Sequence, residues 1–208
     1  MSSEITYADK DKPRHPLGLP PGSVRSVLAV MIGGLFWAIA LMPESKNVSI
    51  PLFLYFLLIP IALFFFAHGR TIGKDWPHPW NLPRGTFRAL IILITVGGIG
   101  LHYYLYGHGP WERFVPIAGD LAAWPKLLLA TIVGLGLGRI LGHGPWHHSA
   151  AFQDIQAWVS LLSMIGLAIE ALLHIAVRPQ LGEDLKMDLS TLEAILTGII
   201  CWYFGARS

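Results

Sequence analysis

The sequence predicts an all-α, polytopic membrane protein with six transmembrane helices. Hydrophobic residues make up 53% of its 208 residues and charged residues only 13%, and the mean hydropathy is +0.53. A typical soluble domain has about a quarter of its residues charged. The apolar residues are concentrated in six long stretches, and a short sequence repeat opens two of them. These observations together favour membrane helices arranged as repeated hairpins.

Each of the six stretches is long enough to cross about 30 Å of hydrocarbon at about 1.5 Å per residue. The second stretch has Tyr55 as its only polar group, so we expect this helix to face lipid or another membrane protein. The loops between the stretches are too short to hold a catalytic soluble domain. The predicted spans are residues 24–42, 50–67, 87–106, 124–141, 155–177 and 189–205.

A sequence repeat marks the starts of the first and third stretches. LPPGSVR occupies residues 19–25 and LPRGTFR occupies residues 82–88. In each copy proline favours a helix start, and the residue after glycine, Ser23 or Thr86, can act as an N-cap. Arg25 and Arg88 can extend their charged groups to the lipid headgroups as interface anchors. Since two stretches separate the copies, we expect three hairpins in the same orientation, two of them clear repeats and the third diverged.

Positive charges are distributed unequally between the two sides of a six-span topology. The side that holds both termini has ten of the fifteen Lys and Arg residues, and the opposite side has five. Cytoplasmic segments are usually the richer in Lys and Arg. We therefore expect an integral protein of the plasma (inner) membrane. Its N-terminal tail, residues 1–23, and its C-terminus, residues 206–208, are both predicted to be cytoplasmic.

The third and fourth stretches are followed by the same five residues, Gly-His-Gly-Pro-Trp, at positions 107–111 and 142–146. In a six-span topology the two copies lie on opposite sides of the membrane, so they cannot build one site. Glycine ends a helix, proline prevents its continuation, and tryptophan prefers the lipid–water interface. We therefore interpret Trp111 and Trp146 as interface anchors.

Small residues recur at the spacing typical of closely packed membrane helices. Gly134 and Gly138 form a GxxxG pair in the fourth stretch, and Ala29 with Gly33 repeats the spacing in the first. Three glycines between residues 97 and 100 leave this part of the third stretch with little side-chain volume. Such positions let backbones approach closely, within one chain or between subunits. The expected partners are therefore the lipid bilayer and other membrane subunits or further copies of the chain. A net charge of +2 gives no reason to expect a nucleic acid.

Polar residues form a stripe along the fifth stretch. They recur at steps that place them on one face of a helix. Two groups in other stretches, one histidine and one glutamate, are predicted at a similar depth. The stripe forms either a proton, ion or metal site or a set of hydrogen-bonded groups that hold helices together. The candidate intramembrane site comprises His102, Ser160, Ser163, Glu170, His174 and Glu193.

A histidine cluster follows the fourth stretch. His143, His147 and His148 have the H-x3-H-H spacing, which resembles one histidine box of the membrane di-iron desaturases and hydroxylases. The resemblance implies a metal site, and imidazoles suit Zn, Cu or Fe. Those enzymes use several boxes, and this sequence contains no second one. Cys201 is the only cysteine, which excludes a cysteine metal cluster.

These patterns leave three classes of function. We rank first a non-catalytic, membrane-embedded subunit or scaffold of a larger or homo-oligomeric complex. The second class is a small transporter or channel for protons, metal or other ions that uses the polar stripe of the fifth stretch. The third is a His-rich membrane metalloenzyme. The sequence specifies neither a cofactor nor a substrate.

Overall fold

In the computed structural model the chain folds into helices. The described residues are 16–19, 22–43, 49–66, 85–116, 120–144, 149–176 and 189–206, and none of them forms a β-strand. The predicted all-helical class is therefore confirmed. Three short 3-10 turns, Pro16–Gly18, Pro110–Phe114 and Asp120–Ala123, accompany the longer helices. The longer helices are α1 (Ser23–Ala40), α2 (Leu52–Pro60, followed by a π-helical segment, Ile61–Phe66), α3 (Thr86–Tyr106), α4 (Trp124–Gly142), α5 (Ala150–Ala176) and α6 (Ser190–Ala206).

Four segments are long and apolar enough to cross a membrane, which indicates an integral membrane protein. They are α1, α3, the segment Leu121–Gly142 that contains α4, and α5. Helix α6 has 17 residues, or about 26 Å at about 1.5 Å per residue. The apolar helix Leu52–Leu63 is shorter still. Membrane crossings by these two helices, and with them the total of six crossings in three hairpins, stay a prediction.

The repeated sequence starts α1 and α3 in the same way. The N-cap residues are Gly22, with φ of 79°, and Gly85, with φ of 84°, and neither cap uses a side-chain hydrogen bond. Glycine adopts this left-handed conformation without the steric cost of a Cβ atom. The prediction that Ser23 and Thr86 act as N-caps is therefore wrong, because each is already the first helical residue.

Helix α2 changes its hydrogen-bonding pattern at Pro60. Proline has no backbone N–H, and its ring clashes with the carbonyl four residues earlier. The π-helical segment, Ile61–Phe66, begins directly after it. A π-helical turn accommodates such an interruption without ending the helix.

The helices pack in two groups. Helix α1 packs against α3 and α5, while α2, α4 and α6 pack against one another. Helices α5 and α1 link the groups, because α5 also packs against α6 and α1 also packs against α2. The successive helices α3 and α4, which were predicted to form a hairpin, make their main contacts elsewhere: α3 with α1, and α4 with α6. The contacts therefore leave the hairpin arrangement a prediction.

The beginning of α2 lies in the core of the protein. Phe53, Leu54 and Leu57 are completely buried, and the helix packs against α1, α4 and α6. The expectation that this segment faces lipid or another protein is thus wrong for its first two turns. An all-apolar helix suits a protein core as well as lipid, so its composition did not distinguish the two environments.

Glycines bring α4 and α6 into backbone contact. A Cβ atom at Gly134 would overlap the carbonyl oxygen of Gly198, and one at Gly138 would overlap that of Trp202. From the opposite side, a Cβ atom at Gly205 would overlap the carbonyl oxygen of Leu135. The predicted close-packing role of the GxxxG pair is therefore confirmed, but its partner is α6 of the same chain. This glycine face of α4 is not available to another subunit.

Candidate functional site

The polar stripe predicted on the fifth stretch lies on the buried side of α5. Ser160 is fully buried, Ser163 is 3% exposed and Glu170 is 5% exposed, whereas His174 is half-buried. Apolar side chains on the same side, including Leu167, are also fully buried. The stripe is therefore part of the packing of α5 against its neighbours α1 and α6.

Gln156 begins this buried face and is itself fully buried. Its backbone carbonyl accepts a hydrogen bond of 2.8 Å from Ser160 Oγ, one helical turn later. Its side-chain amide has no hydrogen-bond partner at either Nε2 or Oε1 within the described structure. A buried amide without partners is costly, because water would satisfy it in the unfolded chain. Gln156 belongs to the predicted polar stripe by its spacing from Ser160, but it was not among the six residues of the candidate site.

A second set of buried polar residues lies where α4 meets α6. Thr131 on α4 is 2% exposed, and Thr197 and Cys201 on α6 are fully buried. At the end of this interface where α6 begins, Lys126 Nζ donates a hydrogen bond of 2.8 Å to Ser190 Oγ. Thr131 Oγ1 and Thr197 Oγ1 have no hydrogen-bond partner in the described structure, so Lys126 provides the polar tie between the two helices.

His102 is fully buried on the side of α3 that faces α1. Its Nδ1 lies 3.0 Å from the carbonyl oxygen of His108, so Nδ1 carries the proton and donates. Its ring forms a triangle with those of Tyr106 and His108, with centroids 4.7 Å and 5.5 Å away. Its Nε2 is buried and has no hydrogen-bond partner in the described structure.

Beside His102, two side chains close the C-terminal end of α1. Tyr106 donates from its hydroxyl to the carbonyl of Leu41 at 3.0 Å, and Arg113 donates to that of Ala40 at 3.0 Å. The Arg113 guanidinium also lies over the Tyr106 ring, 5.5 Å from its centroid. We call these contacts the α1 clasp. A cation at a helix C-terminus satisfies unpaired carbonyls and is favoured by the helix dipole. The contacts of Tyr106 and Arg113 with the end of α1 were not predicted, because the clasp depends on how α3 meets α1.

The predicted metal chemistry has no counterpart in the described residues. Among them, no three His, Cys, Asp or Glu side chains form a group that could hold a metal ion. The four ionisable members of the candidate site, His102, Glu170, His174 and Glu193, therefore do not meet as a metal centre in that part of the chain. Glu193 is half-buried in the first turn of α6. A role for these groups in moving protons or ions stays a hypothesis.

The predicted histidine cluster is only partly described. His143 is exposed, and its Nδ1 lies 2.7 Å from the carbonyl oxygen of Arg139 on the preceding helical turn. His147 and His148 lie outside the described residues, as does the predicted anchor Trp146. The metal hypothesis for this cluster therefore stays a prediction.

The other anchor residues occupy the ends of helices. Arg25 and Arg88 are half-buried in the first turns of α1 and α3. Trp111 is 60% exposed in the 3-10 turn after α3. Helix α3 ends at Gly107 with φ of 75°, and Pro110 starts that turn. The termination signals read from the sequence are confirmed here, and the positions are compatible with anchoring at a lipid interface.

The fold and the polar contacts together define a class: a helical, integral membrane protein whose buried polar groups lie between helices. Comparison of the chain with protein-family models, with curated proteins and with solved structures finds no match.

Proposed function

We propose that the protein is a non-catalytic, membrane-embedded subunit or scaffold that assembles with other membrane subunits or with copies of itself. The observation that carries this proposal is the exposure of α3. Only Ile91, Gly98 and His102 are buried on this 21-residue helix. Helix α3 packs against α1 and the short turn that follows α3, and most of its surface is exposed.

The outward side of α3 has the shape that membrane helices use to pack together. Val96 is 62% exposed, Tyr104 is 85% exposed, and Gly97 and Gly100 lie between them on the same side. A Cβ atom at either glycine would meet nothing within 4 Å. We call this side, residues 93, 96, 97, 100, 101 and 104, the α3 outer face. Its glycines leave a flat groove into which another helix can pack closely.

Other small-residue faces are less suitable for a partner. Gly134 and Gly138 of α4 already contact α6, and Ala29 and Gly33 of α1 are buried. The second small-residue pair of α1, Gly34 and Ala38, is more open, since nothing lies within 4 Å of a Cβ atom at Gly34 and Ala38 is exposed. We place the proposed interface on α3 because two open glycines, Gly97 and Gly100, lie there on an exposed side.

The proposed topology has six crossings arranged as three hairpins, with both termini in the cytoplasm and the protein in the plasma (inner) membrane. The matching starts of α1 and α3 at Gly22 and Gly85 support a repeat. The excess of Lys and Arg on the side that holds both termini supports the orientation.

The assembly proposal is tested by filling the groove on α3. We expect Gly97→Leu with Gly100→Leu to reduce the assembled fraction at least tenfold, because the added side chains keep the partner helix away. The measurement is the mass distribution of the protein extracted from its native membrane in nanodiscs. Gly136→Leu on α4 is the matched control, because that glycine is also exposed with nothing within 4 Å of a Cβ atom. A wild-type protein found only as a monomer, or equal losses in both variants, would contradict the proposal.

A second candidate function is transport of protons or other ions along the polar face of α5. The observation that favours it is the buried amide of Gln156, because a chain of water molecules along α5 would satisfy it. The close packing of Ser160 and Ser163 favours the scaffold instead. We therefore rank transport second.

Glu170→Gln separates the two functions. For a scaffold we expect the free energy of unfolding to fall by about 1–2 kcal/mol, since a buried hydrogen-bonding group is altered. No ion flux is then expected from either protein in liposomes. Flux in the wild type that is lost in the variant at unchanged stability would instead establish transport.

A further inference from the structure

His102 is a titratable side chain that is completely buried where α3 meets α1. Its Nδ1–H donates to the carbonyl oxygen of His108 at 3.0 Å. Its Nε2 is also buried and has no hydrogen-bond partner within the described structure. The neutral ring therefore directs its one N–H to the side where an acceptor lies, and its lone pair to the side where no donor lies.

The ring of His102 lies directly beside the α1 clasp. Its centroid is 4.7 Å from that of Tyr106, which follows one helical turn later. The hydroxyl of Tyr106 donates to the carbonyl of Leu41. The Arg113 guanidinium lies over the same Tyr106 ring while it donates to the carbonyl of Ala40. A displacement of His102 therefore reaches, through Tyr106, both bonds that hold the end of α1.

A second proton on His102 would be costly in this arrangement. Histidine takes up its second ring proton between about pH 5 and about pH 8. On Nε2 that proton would create a buried N–H without an acceptor, and burying a charge costs more than burying a neutral polar atom. The new charge would also lie on a ring that shares Tyr106 with the Arg113 guanidinium. Separation of α3 from α1 would let water bind Nε2–H, so a proton favours the separated arrangement.

The described groups around His102 do little to compensate such a charge. Helix α3 packs against α1 and against the turn that follows α3. The last described turns of α1, residues 36–42, carry no titratable side chain. The turn after α3 contributes Arg113 and Glu112, and the carboxylate of Glu112 is on an exposed residue, where solvent screens it. Helix α3 and its end contribute Tyr106 and the exposed His108.

We propose that His102 makes the α1 clasp sensitive to acid, and that protonation of its Nε2 opens the contact between α3 and the end of α1. Because a proton favours the open arrangement, the clasp is closed at about pH 8 and loosens as the pH falls towards about 5. Helix α3 has α1 as its main neighbour, so opening frees the end of α3 that follows His102. This device goes beyond a scaffold role and does not depend on assembly.

The test measures how fast a thiol at the end of α1 reacts with a water-soluble maleimide, in the full chain in nanodiscs. Ala40→Cys in a Cys201→Ala background supplies this thiol, because Ala40 is fully buried and its carbonyl belongs to the clasp. Ala171→Cys in the same background is the reference, because Ala171 is fully buried on α5. The ratio of the two rates at one pH cancels the effect of pH on thiol chemistry. We expect this ratio to rise at least tenfold from about pH 8 to about pH 5.5.

Two variants assign the response to one imidazole. His102→Asn keeps an amide N–H near the position of Nδ1 but takes up no proton, so we expect its ratio to change less than twofold with pH. His108→Gln removes the neighbouring exposed imidazole and keeps the backbone carbonyl that accepts from His102, so we expect it to retain the acid response.

Three results would overturn the proposal. The first is a ratio that does not rise in acid in the protein with both histidines, which includes equal acceleration at positions 40 and 171. That comparison needs no change at His102, so it decides the matter even if His102→Asn fails to fold. The second is an undiminished acid response in folded His102→Asn. The third is loss of the response in His108→Gln, which would assign it to His108.

Discussion

Gly138 sets the distance between α4 and α6. A Cβ atom there would overlap the carbonyl oxygen of Trp202 and crowd the backbone nitrogen of Ala206. Backbone atoms cannot rotate away as a flexible side chain can, so the helices would have to separate. We expect Gly138→Ala to lower the free energy of unfolding by about 1–3 kcal/mol, the usual cost of overfilling a packed site.

Gly136 provides the control for this prediction within the same helix. Its Cβ position is open, so Gly136→Ala adds only helix propensity and is expected to be neutral or to stabilise by up to about 1 kcal/mol. The measurement for both variants is reversible denaturant unfolding in bicelles. Equal effects at the two glycines would mean that α4 and α6 do not meet in this way.

Single residues show where sequence reasoning succeeds and where it stops. The spacing of Gly134 and Gly138 predicted a close helix contact, because that pattern depends on local geometry alone. The partner, α6, was not predictable, since the same spacing serves contacts within and between chains. Likewise, the spacing of Ser160 and Ser163 predicted one shared face. It did not predict that the side-chain amide of Gln156, one turn earlier on that face, lacks hydrogen-bond partners in the described structure.

At the scale of elements, the α1 clasp joins the end of α1 to α3 and the turn that follows it. Arg113 carries the charged part of the clasp through its bond to the carbonyl of Ala40. We expect Arg113→Ala to lower the free energy of unfolding by about 1–2 kcal/mol, since a carbonyl at the helix end loses a charged donor. Glu112→Ala, an exposed neighbour in the same turn, should change stability by less than about 0.5 kcal/mol.

Thermal unfolding monitored by circular dichroism in bicelles measures both variants. A loss as large in Glu112→Ala as in Arg113→Ala would indicate that the turn, rather than the charged contact, holds the end of α1.

The elements themselves were predicted to different degrees. Helices α1 and α3 were expected from their apolar length, and their starts from the repeated sequence, although glycine rather than Ser23 or Thr86 forms the cap. The position of α2 in the core was not predictable, because an all-apolar helix gives no periodic signal of which side is buried. The clasp joins residues more than 60 positions apart, so local sequence patterns do not reveal it.

At the scale of the whole molecule, the polar face of α5 from Gln156 to Glu170 is buried between helices, and α3 lies at the edge. Helices α2, α4 and α6 pack against one another, whereas α3 relies on α1 and on the turn after it. A helix with so little of its surface buried contributes little core, and its apolar exterior must meet either lipid or protein. The proposed function depends on which of the two covers the α3 outer face.

Site-specific photocrosslinking in native membranes tests this claim most directly. A photoreactive side chain at Val96 samples the α3 outer face, and one at Val133 samples α4, where the valine is also exposed. The account predicts that Val96 yields a protein–protein crosslink at least tenfold stronger than that from Val133. Crosslinks from Val96 to lipid alone, or equal protein crosslinks from both positions, would contradict it.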